Sequence, residues 1–315
     1  MKAVLHYRVS PALQARLAAA APEWLQIATV DEADHSRVLR ELADADVLLH
    51  VLAPATEQVL AAAPRLQLVQ KIGVGVNTID LAEARRRGIR VCNMPGTNSQ
   101  AVCEATLALM LAALRKIVPF DAATRRGEGW AMPLGSTDDV GEISGRTVGL
   151  VGYGEVPRRL APVLKALGAR VLCHARRPVS DGVSEPVSLQ RLLAESDIVS
   201  LHLPLTPETE RLIGRQALDA MKAGAVLVNT ARGGLVDEAA LHAALRSGRL
   251  RAAGLDVLAE EPANHNNPLF DLPNVVFTPH VAWLTAETLE RSLGVIVENC
   301  VRLREQRPLL HEIAL

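Results

Sequence analysis

The segment TVGLVGYGEVP (147–157) sets an apolar run directly before two glycines and a helix-forming stretch directly after them. Few folds accept that order. Gly152 permits a sharp turn, and Gly154, lacking a side chain, lets backbone N–H groups come close to a ligand at the start of the helix. First-turn N–H groups have no partner within the helix and lie at the positive end of its dipole, so they suit an anion such as a pyrophosphate. The segment therefore reads as the first strand–turn–helix of a dinucleotide-binding sheet. Pro157 stands where a third glycine is usual. Proline sacrifices no helical hydrogen bond in the first turn, so the turn is expected to form with slightly altered packing of helix on strand.

The remaining periodicity supports an α/β fold. Lys2–Tyr7, Val47–Leu52, Leu66–Ile72 and Ile89–Cys92 read as buried strands, separated by alanine-rich helical stretches such as Ala12–Ala20 and Leu81–Arg87. A long helix is expected over Gln100–Ile117, capped by Ser99 or Asn98. The polar connection from Arg125 to Gly145 is either a linker or an arm that packs on a partner. A second series of strands follows at Thr147–Val151, Arg170–His174, Asp197–Leu201, Ala225–Asn229, Arg251–Leu255 and Asn274–Phe277. Six such strands suit a Rossmann-type doubly wound parallel sheet. An amphipathic helix over Thr285–Glu305 is expected to return to the first domain and cover its sheet. With 315 residues, two domains are expected: one of residues 1–98 and 286–315, and a dinucleotide-binding domain of residues 99–285.

Composition narrows the function classes. Apolar residues make up 49% of the chain and charged residues 22%, with a net charge of −1, so no general attraction to nucleic acid or to an anionic membrane is expected. The opening MKAVLHYRV lacks the long apolar core of a secretory signal. The longest apolar candidate, Ala105–Leu114, falls short of the roughly 18 residues a membrane span needs. Cys92, Cys103, Cys173 and Cys300 form no CxxC pair; free thiols in a reducing cytoplasm are expected, without a disulfide or a metal site.

The end of the second strand of the later series bears on the cofactor. In an NAD site an acidic residue about 20 positions past the glycine turn binds the ribose 2′-hydroxyl. Ala175 occupies that position here, followed by Arg176 and Arg177. No carboxylate repels a 2′-phosphate, and two guanidinium groups can pair with one. The cofactor expected from these residues is NADP, with NAD possible.

Three later segments each follow or end an apolar strand: VNTARGGLVDEAAL (228–241), AAGLDVLAEEP (252–262) and VVFTPHVAW (275–283). Strand ends of an open α/β sheet border the ligand crevice. Arg232, beside Gly233 and Gly234, could hold a carboxylate through two parallel hydrogen bonds. His280 could transfer a proton near neutral pH, and Glu261 could hydrogen-bond that histidine and favour its imidazolium form. Together they form an acid, its orienting partner and an anion clamp downstream of a dinucleotide turn.

With these motifs in order, the sequence resembles the D-isomer-specific 2-hydroxyacid dehydrogenase family. The resemblance runs from KIGVGVNTID (71–80) and NMPGTNSQAVCEATLALML (93–111) through the glycine turn, HLPLTPET (202–209) and NTARGGLVDE to GLDVLAEEP and TPHVAW. It implies a flavodoxin-like α/β substrate domain beside the Rossmann-type domain, and hydride transfer between NAD(P) and a 2-oxo or D-2-hydroxy acid. By the same resemblance Arg232, Glu261 and His280 are the catalytic set. Arg232 binds the 2-oxo acid and polarises its carbonyl, His280 gives the proton to the carbonyl oxygen, and Glu261 keeps His280 charged. Backbone amides at Val74 and Gly75 hold the substrate carboxylate. Asp256 binds the nicotinamide carboxamide, and Glu155, Val156, Pro204, Thr230 and Ala231 contact the cofactor, alongside Gly152, Gly154, Ala175, Arg176, Arg177, Arg232 and His280. The family dimerises through its cofactor domains, in the region matched by the helix from Ser99 and the arm after it.

Pro157 and Ala175 depart from the NAD-type pattern. Ala175 with Arg176 and Arg177, and HVAW after Pro279, are similar to the NADP-using glyoxylate and hydroxypyruvate reductases of the family. Trp283 serves either the site or packing in a core or dimer. Alternatives on related scaffolds are NAD-dependent oxidation of another 2-hydroxy acid, of phosphonate or of formate, and dinucleotide-sensing corepressors that bind protein partners. The intact Arg, Glu and His set, and a chain ending at Leu315 without a long tail, place the expectation with the enzymes.

Overall fold

Every strand pair in the protein is parallel. A computed structural model describes residues 1–315. The chain divides into two compact units, Met1–Asn98 with Leu284–Leu315, and Ser99–Trp283.

The first unit holds strands β1 (Lys2–His6), β2 (Gln26–Val30), β3 (Val47–His50), β4 (Leu68–Lys71) and β5 (Arg90–Cys92), in the order β2-β1-β3-β4-β5. That is the flavodoxin-like order. Side chains alternate across the sheet: Val4, Leu48, Val69 and Val91 share one core with Val38, Leu42, Val59 and Leu60. Helix Ala286–Arg304 belongs to this unit, with Thr285 capping its first turn by accepting from Thr288 N–H. Its buried Asn299 donates from Nδ2 to Gln70 Oε1 at 2.6 Å and accepts from Leu310 N–H at 2.7 Å. A buried amide pair of this kind fixes how the helix seats on β4, because any other seating strands its polar atoms.

Strand β2 is absent from the sequence expectation. It pairs with β1 along its whole length, from Lys2 opposite Gln26 to His6 opposite Val30. As an edge strand it is only half buried, so it never builds the continuous apolar run that marks its neighbours. His50, at the carboxyl end of β3, is 1% exposed and its ring nitrogens meet no hydrogen-bond partner. Burial first, then the charges of Lys71 and His6, pull it down to about 3, so it is neutral in the folded protein.

The second unit holds β6 (Thr147–Val151), β7 (Arg170–His174), β8 (Glu185–Pro186), β9 (Ile198–Leu201), β10 (Ala225–Asn229), β11 (Leu250–Leu255) and β12 (Val275–Phe277). Their order is β12-β11-β10-β9-β6-β7-β8, which is doubly wound with its reversal between β6 and β9. One face carries Val148, Leu150, Val171, Cys173, Ile198, Val226 and Val228, covered by helices Ser99–Arg115 and Glu155–Ala166. The opposite face carries Val151, Leu172, Val199, Leu201, Leu227 and Leu255, covered by helices Leu189–Glu195, Arg215–Ala220 and Glu238–Arg246. Burial on both faces explains why these strands read as apolar runs. The two-residue β8 has no apolar pattern and leaves no signal in the sequence.

The expected single helix over Gln100–Ile117 is corrected. The helix spans Ser99–Arg115, starting at Ser99 itself, and a separate helix follows at Ile117–Arg125. Lys116 between them has φ +50°. Pro119 explains the break: it cannot donate to the Arg115 carbonyl, yet it fits the first turn of a new helix, where no donor is needed. All four cysteines are free and buried. No helix is long and apolar enough to cross a membrane.

Candidate functional site

The reversal between β6 and β9 puts the glycine turn where open α/β sheets bind ligands. Gly152 has φ +94°, and a Cβ there would fall 2.5 Å from the His202 carbonyl oxygen at the end of β9. Both constraints demand glycine. Gly154 serves differently: it precedes helix Glu155–Ala166 with φ −93°, and a Cβ there would meet nothing within 4 Å. Its hydrogen atom therefore faces open space at a helix N-terminus, as a pyrophosphate cradle requires. Pro157 is the third residue of that helix and is buried. The first helical bond there is Arg158 N–H to Gly154 C=O, so Pro157 costs the helix no hydrogen bond. Glu155 is exposed, while Val156 packs into the core beneath the turn.

Tyr153, between the glycines, fixes the loop after β7. Its hydroxyl donates to Asp181 Oδ2 and lies 2.6 Å from Ser184 Oγ, and Asp181 Oδ1 accepts from Val183 N–H at 2.9 Å. That loop carries Arg176 and Arg177, both exposed and without an ion pair, beyond the half-buried Ala175. The turn fits a dinucleotide, and the loop after β7 leaves both guanidinium groups at the surface. Sequence reasoning misses Tyr153 and Asp181, because their pairing crosses from one strand end to the next loop.

At the end of β10, Asn229 shapes the segment that follows. Its side chain accepts from Ala231 N–H at 3.0 Å and donates to the Arg232 carbonyl at 2.9 Å. Thr230 Oγ1 lies 2.8 Å from Thr106 Oγ1, which itself donates to the Val102 carbonyl, so Thr230 is the donor of that pair. Arg232 Nη1 donates to the Ala231 carbonyl at 2.5 Å. Burial lowers the Arg232 guanidinium from its ordinary value, opposed by the charge of Glu261. Pro204 is exposed in the loop after β9, with its carbonyl accepting from Thr209 Oγ1 at 2.7 Å.

His280 follows β12 with φ +55°, a region histidine enters more readily than most residues but which still needs support. Asp256, after β11, supplies it. The Asp256 carbonyl accepts from His280 N–H at 2.7 Å. Its buried carboxylate accepts from Thr278 Oγ1 at 2.6 Å, Val281 N–H at 2.9 Å and Ala282 N–H at 3.1 Å. The residue expected to meet the nicotinamide carboxamide thus shapes the turn that carries the histidine. The buried Trp283 donates from Nε1 to the His280 carbonyl at 3.0 Å, which makes it part of the same turn.

Within that frame His280 Nδ1 lies 2.5 Å from Glu261 Oε2. A carboxylate accepts, so Nδ1 carries hydrogen and Nε2 is the nitrogen left for proton exchange. Burial works to raise the Glu261 carboxyl, yet the hydrogen bond and charge of His280, the Leu258 amide and the Arg232 charge together hold it below its ordinary value. Glu261 is therefore ionised near neutral pH, with a fixed imidazole partner and a guanidinium close enough to act on it. In the first unit, Val74 and Gly75 follow β4; Val74 is 48% exposed, and neither amide donates a hydrogen bond within the chain. No cluster of three His, Cys, Asp or Glu residues is placed to hold a metal ion.

Comparison with known proteins places this geometry. Residues 107–282 match the family described as "D-isomer specific 2-hydroxyacid dehydrogenase, NAD binding domain". The glyoxylate reductase of Aeropyrum pernix is 42% identical over 275 residues, covering 85% of this chain and 82% of that protein. The D-3-phosphoglycerate dehydrogenase of Mycobacterium leprae is 42% identical over 291 residues, covering 90% of this chain, and the chain spans only 54% of that relative's length. A solved protein of Thermus thermophilus superposes with a TM-score of 0.89 at 38% identity, covering 100% of both chains.

Proposed function

Since this chain belongs to the D-isomer-specific 2-hydroxyacid dehydrogenase family, we propose that it is an oxidoreductase that moves a hydride between NADP(H) and a small 2-oxo acid or D-2-hydroxy acid, with glyoxylate or hydroxypyruvate as the substrate reduced. The observation that carries this reading is the Glu261–His280 pair, held at 2.5 Å beyond the same parallel sheet that carries the glycine turn. The dinucleotide supplies the hydride at C2 when bound. Arg232 binds the 2-oxo acid and polarises its carbonyl. His280 passes a proton from Nε2 to the carbonyl oxygen, while Glu261 favours the imidazolium that can give it.

Support for NADP comes from Ala175, which offers no carboxylate, and from Arg176 and Arg177, exposed and unpaired. We expect kcat/KM for NADPH to exceed that for NADH. Ala175→Asp combined with alanine at Arg176 and Arg177 should reverse the preference, each member of the change contributing on the order of tenfold. A parent enzyme that prefers NADH overturns the NADP assignment. Substrate is read from a panel of 2-oxo acids assayed in reduction, with 3-phosphoglycerate assayed in oxidation because of the phosphoglycerate dehydrogenase relatives.

The working unit proposed is a homodimer formed through the cofactor unit. Trp130 (89% exposed) and Leu134 (104%) stand in the arm after helix Ile117–Arg125, whose own Ile117 and Val118 are about half exposed. Apolar side chains grouped this way in one segment favour burial against a second copy. Sedimentation equilibrium should give a dimer for the parent and a weakened one for Trp130→Ser with Leu134→Ser; a monomeric parent sinks the assignment.

A further inference from the structure

Glu238 opens helix Glu238–Arg246, whose N-cap is Asp237. Its carboxylate reaches the loop between β11 and β12 at two places. Oε1 accepts from Ala259 N–H at 2.6 Å, and Oε2 accepts from Asn267 Nδ2 at 3.1 Å. Those residues bracket Glu261. Asn267 also accepts from Leu269 N–H at 3.0 Å, capping the short helical turn Pro268–Asp271, so the far end of the loop is tied to a packed element. At the near end, Glu261 Oε1 accepts from Leu258 N–H at 2.9 Å.

We propose that Glu238 is a positioning residue for the proton-donating pair: by gripping both ends of the loop, it sets where Glu261 meets His280. The inference rests on reading His280 as the proton donor, as above. The physical reason is the tolerance of the pair. A charge-assisted contact of 2.5 Å responds steeply to displacement, and the loop that carries Glu261 is otherwise exposed and irregular. Glu238 bonds loop atoms alone and touches no reacting atom. A carboxylate suits this task because both partners are N–H donors, and it can accept from both at once.

The test uses Glu238→Ala, Glu238→Gln and Glu261→Gln, alone and combined, with the pH dependence of kcat and an NMR titration of His280 in the ligand-free protein. Glu238→Ala should lower kcat about ten- to a hundredfold, as loss of a supporting hydrogen bond does at other catalytic centres, while KM for the dinucleotide stays within about twofold. The pH profile of kcat and the NMR titration of His280 should both depart from the parent's, because Glu261 no longer meets the ring as it does there. Glu238→Gln keeps the Ala259 bond through its amide oxygen and should fall between parent and alanine variant. In a Glu261→Gln background, adding Glu238→Ala should change kcat by less than about twofold, because the coupled partner is already gone.

The assignment is overturned if Glu238→Ala multiplies in full onto Glu261→Gln, or if its pH limb and NMR titration match the parent's. If the alanine variant fails to fold, the glutamine variant decides on the same readouts. The NMR arm needs no turnover, so it judges the pairing even if His280→Ala proves active. That last result would sink the proton-donor reading itself.

Discussion

Replacing His280 with alanine should cut kcat/KM for 2-oxo acid reduction by about a thousandfold, within the range general acid catalysis supplies. The turn around it is built from Asp256, Thr278, Val281 and Ala282, whose bonds do not use the imidazole, so the fold should survive the change. Dinucleotide affinity, measured by fluorescence titration, should change far less than turnover. Glu261→Gln should lose less than His280→Ala, because the imidazole stays and only its charged form is disfavoured. The sign of its pH effect follows from the pair. The Glu261 carboxyl is held below its ordinary value by the bond and charge of His280, so the pair is intact while Glu261 is ionised and is lost as pH falls through that lowered value; Glu261→Gln, with no carboxylate to protonate, should lack this acid-side loss of activity. Near-normal turnover in His280→Ala would end the mechanism.

Gly233→Ala should be nearly as damaging for a different reason. A Cβ at Gly233 would fall 1.9 Å from the Leu258 carbonyl carbon, 2.0 Å from its oxygen and 2.4 Å from Ala259 N. All three are backbone atoms, so no rotamer change relieves the clash. The loop carrying Glu261 must move away, and the segment carrying Arg232 must strain to keep its place. The expected cost is on the order of 1–3 kcal/mol in stability and about a hundredfold in kcat/KM, through misplacement of the catalytic groups. Gly294 is the control. It lies in helix Ala286–Arg304, where an added methyl would meet no atom within 4 Å, and Gly294→Ala should leave kcat unchanged and gain up to about 1 kcal/mol of stability. A Gly233→Ala variant as active and stable as the parent would show that the close approach is dispensable.

The sequence is most legible where local chemistry and burial agree. The strand before Gly152 is buried on both faces, and the turn after it needs a backbone conformation few residues adopt, so both leave marks in a single short segment. Edge strand β2 and the two-residue β8 leave no such mark, since half-buried strands need no unbroken apolar run. The long helix misleads for the reverse reason. Its apolar spacing continues past Arg115, and the break at Lys116 is set by Pro119 in the next turn.

The candidate site divides in the same way. Gly152, Gly154, Arg232, Glu261 and His280 can be named from motif and residue type, because the chemistry requires those side chains. Nothing in the spacing says that Glu261 and His280 meet, or that Asp256 spends its carboxylate on the turn beneath the histidine. Glu238 and the Tyr153–Asp181 bond are invisible for the same reason: each joins segments brought together only by the strand order. The sequence by itself determined the alternation of strands and helices, the dinucleotide turn and the inventory of reactive groups, all of which follow from local backbone preference and burial. The tertiary structure alone decided which of those groups touch, since hydrogen bonds between the ends of β10, β11 and β12 exist only once the parallel sheet has set them side by side.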